Sequence, residues 1–267
     1  MGLNQLWLTE HCGRRAVRKR YAIDDPRLFR SFGTGARNEA LLKSRLGDLI
    51  PTELSAETSP DGYDEVCLEW RDGRSLEPHE FDGGHAHATG LMLARIHALT
   101  GAWYGSIDGR HRFERQADAF APRWSHAIKR LNGVDSKLAS DLDRWGQERL
   151  ARLRWPRPTL VHGDFGITNL LWTGSTLGSV LDWEYARFGD PREDWSKVAT
   201  GVRFPEPNSL GFDDTVLGAL REGYLSGGGS AAAFESVALY DAYYAAVVGV
   251  VLESAPRLSW LSELAQT

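Results

Sequence analysis

Leu160–Trp172 reads LVHGDFGITNLLW and Leu181–Asp194 reads LDWEYARFGDPRED, and the fold and chemistry of the chain are both decided in these two stretches. Thr159-Leu160-Val161 is a short apolar run behind two prolines, the pattern of a strand leading into a site. His162–Asn169 is loop-like, punctuated by Gly163 and Gly166. Leu170-Leu171-Trp172 resumes a strand, Thr173–Thr176 turns, and Ser179-Val180-Leu181 returns. This spacing predicts a hairpin that brings Asn169 and Asp182 to the same end, although 13 positions separate them. Asp164 lies five residues before Asn169 on the connecting loop. Two carboxylates and an amide oxygen arranged in this way suit a divalent cation and a hydroxyl nucleophile. Mg²⁺ takes hard oxygen ligands, and a separate carboxylate can orient an acceptor O–H and take its proton during phosphoryl transfer. His, Gly, Asp and Asn are also ordinary turn residues, so the joint spacing with Asn169 and Asp182 carries the reading, not HGD alone.

The 267 residues suffice for one large domain or two lobes sharing a cleft. Apolar residues make up 42% and charged residues 25%, as in ordinary globular proteins. A net charge of −5 leaves no basic footprint, so neither nucleic acid nor an anionic membrane is an expected partner. Cys12 and Cys67 have neither metal-ligand spacing nor the density of a disulfide framework, and read as reduced structural thiols. The first fifteen residues lack a signal-peptide pattern. Ala245–Leu252, the most apolar stretch, is far shorter than the ~20 residues of a membrane span. The expectation is a cytoplasmic protein, a monomer or weak dimer, acting on a small hydroxylated molecule.

Alternation predicts strands at Gln5–Thr9, Arg15–Tyr21 and Glu65–Trp70. Leucines 41, 42, 46 and 49 predict an amphipathic helix over Arg37–Leu49. From His85 onward the pattern is helical, over His87–Leu99, Arg115–Leu131, Ser136–Leu153, about 213–225 and 231–255, with SGGGS at 226–230 as a connector. The layout is that of an α+β chain, with a small sheet-rich N-lobe over 1–70 and a larger, mostly helical C-lobe over 71–267.

His162-Gly163-Asp164 with Asn169, then Asp182-Trp183, then Gly189-Asp190-Pro191 with Asp194, resembles the aminoglycoside phosphotransferase and choline kinase superfamily. The H-G-D-x-x-x-x-N element stands where protein kinases have H-R-D-x-x-x-x-N. The resemblance implies the bilobal protein-kinase-like fold, with Asp164 as catalytic base and Asn169 and Asp182 as Mg²⁺ ligands. It also implies Asp190 as a buried carboxylate supporting the loop and His162 as a structural member of it. Strand alternation puts Val17, Lys19 and Tyr21 on one face and Arg18 and Arg20 on the other. Lys19 is then the expected cation on the nucleotide phosphates, Arg18 the alternative, and Val17 a roof for the adenine. Glu39 resembles the helix glutamate that pairs with such a lysine. Glu69-Trp70-Arg71 falls at the inter-lobe hinge, whose backbone groups would meet the purine edge. Gly2-Leu3-Asn4, a G-x-N run, resembles the family's glycine-asparagine phosphate loop, with Asn4 at the nucleotide, although it begins almost at Met1 without the strand that should precede it. His97 matches an L-A-x-x-H pattern and reads as a satisfied core residue.

Members of the superfamily phosphorylate hydroxyls of antibiotics, choline, ethanolamine, homoserine and sugars. Residues expected to meet the acceptor are Glu184, Tyr185, Asp194 and Trp195 after the metal ligand, and Asp241 and Tyr244 on the last long helix. Together they predict an acidic and aromatic wall that binds ammonium groups. The first expectation is O-phosphorylation of an antibiotic, either an aminoglycoside or another sugar- or nucleoside-containing one, from ATP or GTP with Mg²⁺. The alternatives are a kinase of a metabolic amino alcohol or sugar, and a nucleotide-binding pseudokinase scaffold. The scaffold predicts loss of base, metal ligand or lysine, whereas Asp164, Asn169, Asp182 and Lys19 are all present.

Overall fold

The N-terminal residues alternate in polarity and fold back at Cys12-Gly13, both in the left-handed region (φ 50° and 74°), as a tight hairpin turn requires. The strands it joins are β1 (Gln5–His11) and β2 (Arg14–Arg20). The computed structural model describes residues 5–21, 35–59, 64–155, 157–204, 214–235 and 237–267; Gly2 and Asn4 lie outside them. Helix α1 (Gly35–Leu46) follows, then β3 (Glu53–Thr58) and β4 (Asp64–Glu69). The four strands form one antiparallel sheet in the order β1-β2-β4-β3. In its register Val17 stands opposite Leu68 and Lys19 opposite Val66.

The remainder is mainly helical: α2 (Gly83–His97), β5 (Tyr104–Gly105), β6 (Arg112–Phe113), α3 (Gln116–Asn132), α4 (Ser136–Leu150) and β7 (Thr159–Val161). The hairpin β8 (Leu170–Thr173) and β9 (Thr176–Val180) comes next, then β10 (Arg187–Gly189), α5 (Arg192–Arg203), α6 (Asp214–Ser226), α7 (Ala238–Val251) and α8 (Ala255–Leu264). One core cluster gathers α2, α6, the hairpin and Trp183, and a second gathers α3, α4, α7 and α8. No helix among the described residues is long and apolar enough to cross a membrane.

The sequence pattern misses three features. β3 (ELSAET) has no buried alternation, being half-buried at its start and exposed at its end. α5 begins inside the GDPRED motif, where the functional reading hides the helical one. The helix expected over 231–255 is three pieces, a 3₁₀ turn at Ala231–Phe234 followed by α7 and α8. Glu253 takes a left-handed backbone (φ 51°), and Pro256 sits in the first turn of α8, where its missing N–H costs nothing.

Helices α2 and α6 approach so closely that their backbones nearly touch. A Cβ on Gly90 would fall 2.1 Å from the Leu220 carbonyl oxygen, and one on Gly223 would fall 2.0 Å from that of His87. This contact fixes the α2 face that carries His97. Gly90→Ala should therefore lower stability by roughly 2–3 kcal/mol through overpacking, read as a fall in the urea midpoint.

Candidate active site

The HGD loop is held by one carboxylate on the first turn of α5. Asp194 is fully buried. Its Oδ2 accepts from the His162 N–H and its Oδ1 from the Gly163 N–H, both at 2.8 Å. His97 Nε2 donates to Oδ2 at 3.1 Å, and the Tyr224 hydroxyl meets His97 Nδ1 at 2.9 Å. Burial pushes the Asp194 carboxyl up, but the His97 hydrogen bond and the charges and N–H groups around it outweigh burial, and its pKa lies below the usual range. Gly163 has φ +84°, and a Cβ there would lie 2.4 Å from Arg187 Nη1 and 2.6 Å from the Tyr185 carbonyl oxygen. Only glycine fits.

His162 is tied at both ring nitrogens. The Asp164 N–H donates to Nδ1 at 3.3 Å and Nε2 meets the Leu181 carbonyl at 2.9 Å, which is the Nε2–H tautomer. The ring packs on Trp183 with centroids 4.7 Å apart. The loop is thus tied to the end of β9. There the Leu181 N–H donates to the Asn169 carbonyl at 2.8 Å, so the hairpin does bring Asn169 and Asp182 to one end. Asp182 adopts φ 64°, ψ 58°, a left-handed conformation that aspartate tolerates better than most residues.

Above this end stands Lys19. Its Nζ lies 2.5 Å from Asp182 and 3.7 Å from both Glu39 and Glu184. Burial opposes the ammonium charge, but the surrounding Glu39, Asp182 and Glu184 carboxylates more than compensate, and the Lys19 pKa rises. Burial likewise pushes the Glu39 carboxyl up to about 7 against the pull of Lys19. Arg18 lies on the other face of the sheet, paired with Glu57 and Glu65.

Asp164 pairs with Lys197 of α5 at 2.8 Å. Its side chain is 36% exposed. Burial raises its pKa, but the Lys197 charge and hydrogen bond win, so the carboxyl lies below its ordinary value. At the end of β4, Glu69 accepts from the Thr52 hydroxyl at 2.6 Å and pairs with Arg71 at 3.1 Å. Arg74 then exchanges backbone hydrogen bonds with Trp172, docking the crossing strand on β8. Between the sheet and the helices lies a cleft of about 690 Å³. Lys19, Glu39, Val17, Glu69, Trp70, Arg71, Asp164, Asn169 and Asp182 all line it.

Residues 51–240 match the family model described as the phosphotransferase enzyme family. The chain belongs to that family. A 79-residue stretch is 31% identical to the protein StrN of Streptomyces griseus, spanning 30% of this chain and only 24% of StrN's own length. Among solved structures, a thermostable mutant of the aminoglycoside phosphotransferase APH(4)-Ia superposes with a TM-score of 0.66 at 15% identity, covering 98% of this chain and 89% of that one. The macrolide 2′-phosphotransferase MphH of Brachybacterium faecium gives 0.56 at 15% identity, covering 99% and 89%. At such identities these two likenesses concern the fold, which is the bilobal α+β architecture expected from the sequence.

Within this phosphotransferase-family site, several expected positions need correction. Asp194 and Trp195 do not line the cleft. Asp194 is the buried clamp under the loop, and Trp195 packs in the core against Tyr224 and Phe234. The loop support expected of Asp190 therefore belongs to Asp194. Asp190 instead accepts from Arg192 and from the Tyr240 hydroxyl, anchoring the start of α5. Asp241 is buried and outside the lining. Glu184 lines the cleft at the Lys19 end, away from α7. Tyr185 and Tyr244 do line it, and the Tyr244 hydroxyl reaches the Gly163 carbonyl at 3.4 Å.

Two residues went unnoticed in the sequence. Asn38 donates through Nδ2 to the carbonyls of Trp183, Glu184 and Ala186 at 3.1–3.2 Å, fastening α1 to the turn after Asp182. Its only signal was adjacency to Glu39. Lys197 lies three residues past Asp194, one helical turn along the same face, a spacing that could have drawn attention to it.

The donor set fits a cation and a polyphosphate. Asn169 Nδ2 is occupied by the Asp164 carbonyl at 3.0 Å, leaving Oδ1 as its acceptor end. The Asp182 side chain is 32% exposed, and buried Glu39 Oε2 has no hydrogen-bond partner.

Asp194→Ala should cost about 3–5 kcal/mol, because it strips a buried charge from its partners, measurable by chemical denaturation. Lys197→Met should move the acid limb of the kcat/KM–pH profile upward. Asp164, held low by Lys197, stays ionised until pH falls below the ordinary carboxylate range, and without that ammonium group it would protonate at higher pH.

Proposed function

We propose that the chain is a small-molecule O-phosphotransferase that moves the γ-phosphoryl group of ATP to an acceptor hydroxyl, with GTP as the alternative donor. The observation that supports it best is the meeting, in one cleft, of Lys19, Asp182 and Asn169 at one end with Asp164 a short way along the loop. Asp164 orients the acceptor O–H and takes its proton as the new O–P bond forms. The bond between the γ-phosphorus and the β–γ bridging oxygen breaks, and the nucleoside diphosphate leaves. Lys19, held by Glu39, neutralises the donor phosphates. Asp182 and Asn169 would hold Mg²⁺, which when bound supplies charge stabilisation on the transferring phosphoryl oxygens. Val17 roofs the purine, and the backbone at Glu69–Arg71 meets its edge, with the lobes dividing near residue 70. The solved neighbour APH(4)-Ia forms a ternary complex with AMP-PNP and hygromycin B, which agrees with a donor and an acceptor sharing such a cleft. The cleft volume falls in the range of about 300–1,000 Å³ typical of sites for drug-sized molecules. The acceptor is a hydroxylated small molecule, an antibiotic in the first instance, and the setting is the cytoplasm, in keeping with the free thiols of Cys12 and Cys67.

Asp164→Asn should lower the rate of nucleotide-dependent phosphorylation by about 10²–10⁴-fold, with the circular dichroism spectrum and Mg·ATP affinity retained. Full turnover in that variant would remove Asp164 from its role.

A further inference from the structure

The acceptor end of the cleft is built differently from the wall expected of an ammonium-binding site. On α7 the residues lining it are Tyr243, Tyr244, Val247 and Val248, continued by Val251 and by Leu252 just past the helix end. Their spacing of i, i+1, i+4, i+5, i+8 and i+9 is one continuous helix face. Val247 also packs on the core, whereas Val251 and Leu252 are 40% and 50% exposed and turned to the cleft. Leu6 of β1, 64% exposed, lines the same cleft from the sheet. Exposed large apolar side chains are unremarkable when scattered, but a set converging on one cleft marks a binding surface.

The charges point the same way. Every carboxylate that lines the cleft among the described residues lies within ion-pair distance of a Lys or Arg. Glu39, Asp182 and Glu184 surround Lys19, Glu69 pairs with Arg71, and Asp164 pairs with Lys197. The acid of α7, Asp241, is buried outside the lining, and Glu253, although exposed, is not part of it. Lys197 itself sits 2.8 Å from the base and 5.9 Å from the Tyr244 ring centroid, so a cation approaching the base meets a like charge.

We infer that the acceptor is an uncharged hydroxylated molecule with an apolar body, and that Lys197 with the α7 face discriminates against polycationic acceptors. The inference rests on the phosphotransferase reading and adds the chemical class of its acceptor. The apolar body lies along Val248, Val251 and Leu252, and one hydroxyl reaches Asp164. A polycation would lose its water on this face without gaining a carboxylate partner, which is selection by penalty as much as by attraction.

The test uses the full chain with Mg·ATP and two acceptor sets, uncharged probes (4-nitrophenyl β-glucoside and uridine) and polycations (hygromycin B and kanamycin). Product is read by nucleotide consumption, and binding by calorimetry in the presence of Mg·AMP-PNP. The expected result is a kcat/KM for at least one uncharged probe about 100-fold or more above either polycation. Val251→Glu, at an exposed position, should raise KM for that probe about tenfold with kcat little changed. A polycation that is the better substrate overturns the inference and leaves the phosphotransferase reading standing, as does an unchanged KM in Val251→Glu. If nothing is turned over, binding decides. Uncharged probes that bind, with affinity lowered by Val251→Glu, support the inference alone. Absence of such binding overturns it, and absence of Mg·ATP binding as well overturns both readings.

Discussion

Two adjacent backbone N–H groups, those of His162 and Gly163, point into the two oxygens of one buried carboxylate, and the geometry of the HGD loop follows from that clamp. Asp194 sits where an isolated charge would be prohibitively desolvated. It stays ionised because His97 and both N–H groups converge on it. His97 is available only because α2 and α6 meet backbone to backbone at Gly90 and Gly223. The residue before it, Glu193, does matching work on the far side, binding Arg123, Arg187 and Gln116. Arg187 in turn donates to the Tyr185 carbonyl, beneath the stretch that follows Asp182. Consecutive acids at the start of α5 therefore fix both strands of the catalytic centre from below.

Polarity changes along the cleft. At one end a single ammonium group, Lys19, is surrounded by Glu39, Asp182 and Glu184. At the other, one ion pair, Asp164 with Lys197, faces an apolar helix. Three carboxylates around one ammonium group leave the first end with an excess of negative charge, and burial, helped by the neighbouring Asp182 and Glu184, raises the Glu39 carboxyl. Highly charged groups belong at that end and apolar surface at the other, with Asp164 at the boundary.

The catalytic stretch was readable because its chemistry demands particular residue types at a fixed spacing. The hairpin between Asn169 and Asp182 could be drawn from turn residues and apolar runs alone. What escaped was the difference between facing the cleft and supporting it. Asp194 and Trp195 carry the residue types of a binding wall, yet lie beneath the floor, because a helix starting at residue 192 turns them inward. Asn38 was illegible for another reason. Its partners are three carbonyls some 145–148 positions away, a long-range contact with no local signature. β3 has no buried face to impose a period.

The Asn38 contacts also bear on control. In protein kinases the helix carrying the lysine's glutamate partner can swing outward, and activity is set by that displacement. Here the neighbouring residue on α1 grips the turn that follows Asp182 by three carbonyls, so moving the helix away would forfeit all three bonds at once and leave a buried amide without partners. A helix latched in this way makes a poor toggle. The same three bonds hold Glu39, the next residue on α1, against the turn that carries Glu184.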